Sequence, residues 1–247
     1  MRNLKLTVTY DGTDFNGFQA QTGANLRTVQ ECLESVWHKL TGESIRLVGA
    51  GRTDAGVHAQ GQVVNFRTER GAIPVERVPY AMNSLLPDDV RIVGCERVRD
   101  DFHARFDARS KVYEYRICNR PFPNPLVRRY SLFEPRRLDV DAMASAATLL
   151  IGRHDFAAMA GQNGTVRSSV RTVMACDVRR EGDSIRIVVQ ADGFLYHMVR
   201  TIVGTLLVVG RGEAPPGWVG EVLRFKERNR AGATAPAHGL TLVAVHY

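Results

Sequence analysis

A glycine-rich stretch, Gly51–Ala59, carries the side chains of this chain that are best suited to chemistry. Arg52, Asp54 and His58 stand there among small residues, between two apolar runs. Glycine lets a backbone turn tightly or lie against a ligand, and loops of this kind often carry function. A carboxylate can act as nucleophile or base in glycosidic chemistry, and a neighbouring arginine keeps it ionised at neutral pH. The same residues also fit a structural turn between two strands with an internal Arg–Asp pair, so both interpretations stay open here.

Nucleotide and metal sites are disfavoured in this stretch. The dinucleotide pattern G-x-G-x-x-G needs glycine at the position of Asp54, and the P-loop needs Lys and Ser/Thr where Val57 and His58 stand. Gly56 between Asp54 and His58 makes a helical metal-binding face improbable, and the other histidines show no ligand spacing. We therefore predict no cofactor and no metal.

The composition favours a soluble protein with a polyanionic partner. The 247 residues carry a net charge of +7 and arginine pairs at 128–129, 136–137 and 179–180, of which the first two stand near Phe122, Tyr130 and Phe133. Arginine matches phosphate geometry and stacks on bases, which favours a nucleic acid over a merely soluble basic surface. No apolar run reaches the ~20 residues of a membrane span. The four cysteines form no CxxC pair, which indicates a reducing compartment, so we expect a cytoplasmic protein.

The elements around this stretch have the predicted order β-α-β-β-α-β. Leu4, Leu6, Val8 and Tyr10 alternate as in a strand, and Thr28 with Glu31 forms a capping box for a helix that ends at Gly42. The remaining predictions for this half are strands at 44–49, 62–67 and 90–98 and a helix at 75–85.

The second half repeats this order of elements without detectable sequence repetition. We predict strands at 112–117, 170–179, 184–190 and 240–245, helices at 140–151, 195–209 and 216–228, and an inserted loop at 153–169. Two such halves predict an α+β protein with two lobes of ferredoxin-like topology and mainly antiparallel sheets. The domain boundaries are predicted as 1–105, which carries the Asp54 loop, and 106–247.

The stretch Gly51–Ala59 resembles the catalytic signature of the tRNA pseudouridine synthase A family. The resemblance extends over nearly the whole chain through further blocks in the family's order: Tyr10–Thr13 with Gly17–Gln21, Thr28–Gln30, Phe102–Phe106 with Lys111–Tyr115, Phe194–Arg200, and Thr234–Leu240. One departure is Phe18, where the family usually has tryptophan. This change concerns local loop packing or RNA contact rather than the catalytic signature.

The resemblance implies a cofactor-free isomerase that converts uridine to pseudouridine in the anticodon stem-loop of tRNA, at positions thirty-eight, thirty-nine and forty. It also implies a homodimer, with a central RNA-binding cleft between the lobes. By position, Asp54 matches the nucleophile, Arg52 the arginine that helps to push the target base out of the stack, Tyr113 the tyrosine that packs on the base, and Arg200 the partner of the catalytic carboxylate. Flipping a paired uridine costs a few kcal/mol, which an inserted arginine and a stacked tyrosine would offset.

Further substrate contacts are predicted for His58, Leu195 and Met198, in addition to Arg52 and Tyr113. Leu195, Met198 and Val199 lie beside Arg200 and would enclose the free uracil, but they fit the core of an amphipathic helix at least as well. Two other functions stay open: a non-catalytic RNA-binding module, and a base-excising nucleosidase that uses the same carboxylate.

Overall fold

The computed structural model describes residues 1–20, 26–69, 73–161 and 168–247. Gln21, the last residue of the opening sequence block, and residues 162–167 of the predicted loop lie outside the described residues. The chain divides into two compact units, residues 1–109 with 241–247, and residues 110–240. Both units mix helices with mostly antiparallel strand pairs, which confirms the predicted α+β class. Within the described ranges, each helix is too short or too polar to cross a membrane.

The first unit has the predicted order of elements. Its strands and helices are β1 (Arg2–Tyr10), α1 (Val29–Thr41), β2 (Val48–Gly49), β3 (His58–Thr68), α2 (Val78–Asn83) and β4 (Val90–Val98). Antiparallel pairing places β1 between β4 and β3, and β2 pairs antiparallel with β3. The last strand of the chain, β10 (Leu240–His246), pairs in parallel with the start of β3.

Local sequence signals explain the ends of α1. Thr28 caps its N-terminus, because its hydroxyl oxygen accepts the Glu31 N–H, and the Glu31 carboxylate accepts the Thr28 hydroxyl at 2.7 Å. Gly42 ends the helix in the left-handed region with φ 72°, where glycine carries no penalty. The buried side chains of α1 include Leu33 and Trp37, and Trp37 packs edge-on against Phe66 of β3 at 4.8 Å between ring centroids.

The second unit also follows the predicted elements, with additions. It contains β5 (Ser110–Cys118), β6 (Leu132–Phe133), α3 (Val140–Thr148), β7 (Gly152–Asp155), β8 (Val170–Glu181), β9 (Ser184–Ala191), α4 (Met198–Gly210) and α5 (Trp218–Phe225). The strand order is β5-β9-β8-β7, with antiparallel pairing. Gly182, with φ 61°, makes the predicted hairpin turn between β8 and β9.

Several predicted segments differ from the structure, and the strand predicted at 62–67, for example, begins four residues earlier at His58. The strand predicted at 44–49 is limited to β2, and the helix predicted at 75–85 consists of a 3₁₀ turn at Val75–Arg77 followed by the short α2. The predicted loop at 153–169 begins inside β7, which pairs with β8. Residues 241–247, assigned by sequence to the second domain, belong to the first unit because β10 pairs with β3 and Tyr247 donates its hydroxyl to the Ala104 carbonyl at 2.8 Å.

Candidate active site

The Asp54 loop, residues 51–57, connects β2 to β3 and turns back at Ala55–Gly56. Gly56 has φ 76°, and the Val57 N–H donates to the Asp54 carbonyl at 3.1 Å, which closes the turn. Arg52 is exposed and Asp54 is half-buried. The carboxylate is therefore presented on a turn that has its own backbone hydrogen bond.

Hydrogen bonds from buried polar groups hold the Asp54 loop in place. The hydroxyls of Tyr10 and Thr53 lie 2.7 Å apart, and Gln62 donates its amide to the Gly51 carbonyl at 2.9 Å. The Phe18 N–H donates to the Thr53 carbonyl at 3.1 Å. Burial raises the pKa of Tyr10 to about 12, although hydrogen bonds to Thr53 and Gln62 act in the opposite direction. Each of these contacts fixes a residue within three positions of Asp54.

Two glycines of the neighbouring segment let the Asp54 loop lie directly against the backbone after β1. A Cβ on Gly12 would stand 2.0 Å from the Val57 carbonyl oxygen, far inside any real contact. Gly17 has φ 89°, and a Cβ there would stand 2.8 Å from the Thr53 carbonyl oxygen. The glycines of the opening sequence block are thus required by close backbone approach.

In the second unit, Tyr113 lies on β5 and is buried, with 7% of its surface exposed. Its ring meets that of Phe194 edge-on at 5.0 Å between centroids. Arg200, in the first turn of α4, is half-buried and donates its Nε–H to the Ala235 carbonyl at 2.7 Å, while the Ala235 N–H donates to the Arg200 carbonyl at 3.0 Å. The guanidinium is thus fixed through its Nε.

The comparisons with known proteins agree over the whole chain. A family model described as tRNA pseudouridine synthase matches residues 6–107 and 146–247. The tRNA pseudouridine synthase A of Thermoanaerobacter sp. (strain X514) is 46% identical over 247 residues, which are 100% of both chains. The proteins of the same name from Acetivibrio thermocellus and Moorella thermoacetica are 45% and 47% identical, over 100% and 99% of each chain. The chain belongs to the tRNA pseudouridine synthase family.

The structure of this family member brings Arg52, Asp54 and His58 together on one short segment of the first unit. His58 is 3% exposed, and its Nδ1 accepts the Gly12 N–H at 3.0 Å. Asp11 Oδ1, which accepts the N–H and hydroxyl of Thr13, lies 3.1 Å from the same nitrogen. The His58 ring therefore supports the loop through Nδ1, and its contact with substrate stays a prediction.

The other predicted residues of the synthase site lie in the second unit. Leu195 and Met198 are 4% and 1% exposed, and the Met198 N–H donates to the Leu195 carbonyl at 3.0 Å. His197 between them has φ 61°, a conformation that is uncommon outside glycine and tends to occur at functional sites. Both apolar side chains contribute to the core, and their contact with uracil stays a prediction.

Sequence reasoning missed the residues that position the Asp54 loop. Tyr10 is identified in the sequence as the last residue of an alternating strand and as part of the block Tyr10–Thr13, but not as a support of the Asp54 loop, and Thr53 and Gln62 are not singled out for any role. Tyr10 and Thr53 are 43 positions apart, so no local spacing links them. The available signal was a tyrosine at the end of a strand directly before a glycine-containing loop.

Within the described residues, no three His, Cys, Asp or Glu side chains lie close enough together to hold a metal ion.

Proposed function

We propose that this enzyme of the tRNA pseudouridine synthase family isomerises uridine in the anticodon stem-loop of tRNA, with Asp54 as the nucleophile. The observation that carries the assignment of Asp54 is its placement. It is a half-buried carboxylate on a turn that buried hydroxyl, amide and backbone groups hold in position. A catalytic carboxylate needs such support, because small misplacements of a reacting group cost large factors in rate.

The reaction breaks one bond to carbon and forms another. The N1–C1′ bond of uridine breaks with the participation of the Asp54 carboxylate, and the uracil turns while it remains in the site. C5 then bonds to C1′, the C5 proton leaves to solvent, and N1 takes up a proton. The composition of the RNA is unchanged, and neither an oxidant nor a second substrate is needed.

The other residues supply access and binding. A uridine inside a helix is unreachable, so the nucleotide must leave the stack. Arg52 is exposed on the same loop and enters the vacated space, while Tyr113 packs against the flipped base and Arg200 pairs with the Asp54 carboxylate. Arg200 is suited to this role because its Nε is anchored to Ala235, which fixes the direction of the guanidinium.

The finer architecture belongs to the same proposal. The element order β1-α1-β2-β3-α2-β4 in the first unit, and β5, α3, β8, β9 and α4 in the second, supports two lobes of ferredoxin-like topology that are divided near residues 105–106, with the final strand β10 paired to the first lobe. We further propose a cytoplasmic homodimer, since a chain of 247 residues gains a larger surface for tRNA by pairing.

The test uses tRNA that carries tritium at C5 of uridine, because formation of the C5–C1′ bond releases this label. We expect label release by the wild-type protein, and a loss of at least ~10³-fold in turnover for Asp54→Asn with tRNA affinity nearly unchanged. Asp88→Asn is the matched control, since Asp88 is fully exposed and pairs with nearby Arg91 at 2.7 Å.

Chromatography of the products separates the competing functions. A nucleosidase would produce free uracil and abasic RNA, whereas an isomerase leaves the RNA mass unchanged. An RNA-binding module would release no label from any tRNA, and Asp54→Asn would then be without effect. Either result would overturn the proposed function.

A further inference from the structure

An exposed loop of the second unit combines apolar side chains with arginines. The proline–arginine loop, residues 120–131, joins β5 to β6 and has the sequence RPFPNPLVRRYS. Phe122 is 74% exposed and Leu126 is 86% exposed, and Arg128 and Arg129 are exposed as well. Isolated apolar residues on a surface need no explanation, but an apolar and basic cluster on one segment indicates a binding surface.

Hydrogen bonds at both ends hold the proline–arginine loop in place. At its start, the Asn119 N–H donates to the Asp183 carbonyl at 2.8 Å, and the Asn119 amide donates to the carbonyls of Glu134 and Arg136 at 2.9 and 2.6 Å. At its end, β6 pairs in parallel with β5. The two ends are therefore fixed to the same edge of the unit.

The interior of the loop is also ordered. The Val127 N–H donates to the Asn124 carbonyl at 3.2 Å, and the Tyr130 N–H donates to the Val127 carbonyl at 2.9 Å. The Ser131 hydroxyl donates to the same Val127 carbonyl at 2.9 Å. Prolines at 121, 123 and 125 restrict the backbone further. A preorganised loop loses little conformational entropy when a partner binds.

The loop lies along the same strand as Tyr113 but well away from it. Cys118, the last residue of β5, lies five positions after Tyr113. At about 3.3 Å per residue this distance is about 17 Å along the strand. A duplex advances by about 3.4 Å per base pair, so the loop is about five base steps from a base held at Tyr113. It is too distant to contact the flipped uridine and close enough to contact the same RNA.

The positive charge of the proline–arginine loop determines which class of partner it can bind. The loop holds three arginines and no acidic residue, and Arg120 at its base pairs with Asp183 at 3.4 Å. A second copy of a chain with net charge +7 would bring further positive charge to it. A polyanion with unpaired bases matches both the arginines and the exposed ring, because guanidinium groups bind phosphates and aromatic rings stack on bases.

We propose that the proline–arginine loop is a second tRNA contact, in which Arg128 binds a backbone phosphate and Phe122 stacks on an unpaired base. This contact lies outside the reacting nucleotide, so it contributes to tRNA affinity and not to the chemical step. The proposal rests on the proposed function in one respect, namely that tRNA is the substrate held at Tyr113.

The experiment measures binding of full-length tRNA at several salt concentrations, together with turnover at saturating tRNA. For Arg128→Ala we expect affinity to fall about five- to tenfold and the slope of log affinity against log salt to decrease by about 0.9, the value of one lost phosphate contact. For Phe122→Ala we expect at least a fivefold loss with the salt slope unchanged, and recovery with Phe122→Tyr, which keeps the ring. Turnover at saturation stays at the wild-type level in all three variants.

Two matched controls use exposed residues elsewhere. Arg179→Ala removes the same charge from β8, where Arg179 pairs with Asp177 at 2.9 Å, and Val93→Ala removes an exposed apolar side chain from β4. Both should bind tRNA as the wild-type protein does. Equal losses in Arg128→Ala and Arg179→Ala would reduce the effect to net charge and overturn the proposal.

The remaining outcomes are also decisive. Unchanged affinity in both Arg128→Ala and Phe122→Ala would overturn the proposal, and so would a lower molar mass in solution for Phe122→Ala, which would assign the loop to contact between copies. Binding is measured without reference to turnover, so loop-dependent binding with no tritium release would refute only the proposed function. Tritium release with loop-independent binding would refute only the second contact.

Discussion

The two units hold their candidate catalytic residues by different physical means. The Asp54 loop has no regular structure of its own between Gly51 and Val57, and it depends on buried hydroxyls, an amide and close backbone contacts. Tyr113 and Arg200 instead project from a strand and from a helix whose apolar residues are buried. The loop is thus positioned by a few specific contacts, whereas the core positions the backbone of the other two residues and a single hydrogen bond to Ala235 fixes the Arg200 guanidinium.

This difference predicts whether a substitution changes activity or stability. Disturbing a contact under the Asp54 loop displaces the carboxylate while the core of the first unit remains. Disturbing the packing of α4 acts on stability first, because the helix is mostly buried. Substitutions at closely packed glycines in the two units are therefore expected to separate activity from stability.

Among these glycine substitutions, the largest effect on activity is expected for Gly12→Ala. The new Cβ would meet the Val57 carbonyl oxygen, so the Asp54 loop must move. A displacement of about 1 Å costs about 100-fold in rate, and we expect that loss in tritium release with a small change in melting temperature. Gly94→Ala on β4 is the control, since its nearest neighbour would be Thr7 at an ordinary 3.7 Å. Wild-type turnover in Gly12→Ala would show that the loop does not depend on this contact.

Gly204→Ala is expected to reduce stability more than activity. Gly204 lies within α4, and a Cβ there would stand 1.7 Å from the Ala233 carbonyl oxygen. We expect the free energy of unfolding to fall by about 2 kcal/mol, because overpacking forces backbone shifts. Gly220→Ala in α5 has its nearest contact at 3.9 Å and should stabilise the helix by up to about 1 kcal/mol. Denaturant unfolding measures the free energy of unfolding of both variants. Equal values for Gly204→Ala and Gly220→Ala would contradict tight packing at Gly204.

A smaller effect is expected from Tyr10 at alkaline pH. Its pKa is raised from 10.0 to about 12 in the folded protein, so between these values the unfolded chain loses a proton that the native state keeps. Stability from this group is complete below pH 10 and falls as the pH rises, by about 1.4 kcal/mol at pH 11. Tyr10→Phe loses the hydrogen bond to Thr53 at neutral pH, but its stability should fall less between pH 9 and 11. If the free energy of unfolding fell equally in the wild-type protein and in Tyr10→Phe over this pH range, the raised pKa of Tyr10 would be contradicted.

Elements with local signals were predictable from the sequence. The cap at Thr28, the end at Gly42 and the turn at Gly182 depend on residues only a few positions apart, and each is confirmed. The strand β4 has the predicted bounds, residues 90–98. Alternating apolar residues and caps determine such elements before any tertiary contact forms.

Features that depend on distant partners were not predictable. β6 and β7 have two and four residues, too few for a periodic pattern, and they exist because β5 and β8 pair with them. For the site, the sequence identified the loop that carries Asp54 and not the groups beneath it. His58 accepts a hydrogen bond from Gly12, which is 46 positions away in the sequence. No spacing within the Asp54 loop predicts this contact or the burial of His58.

The strand β10 has a consequence for the order in which the protein is made. Thr241 and Leu242 pair with His58 and Ala59, the two residues that follow the Asp54 loop, and Arg109 donates its N–H to the His246 carbonyl at 2.8 Å. The sheet of the first unit is therefore complete only after residues 241–247 have been synthesised. Nearly all of the first unit nevertheless leaves the ribosome before the second unit does. During synthesis the second unit has its whole sequence available earlier. The loop that bears Asp54 therefore reaches its final support late, after most of the chain has emerged.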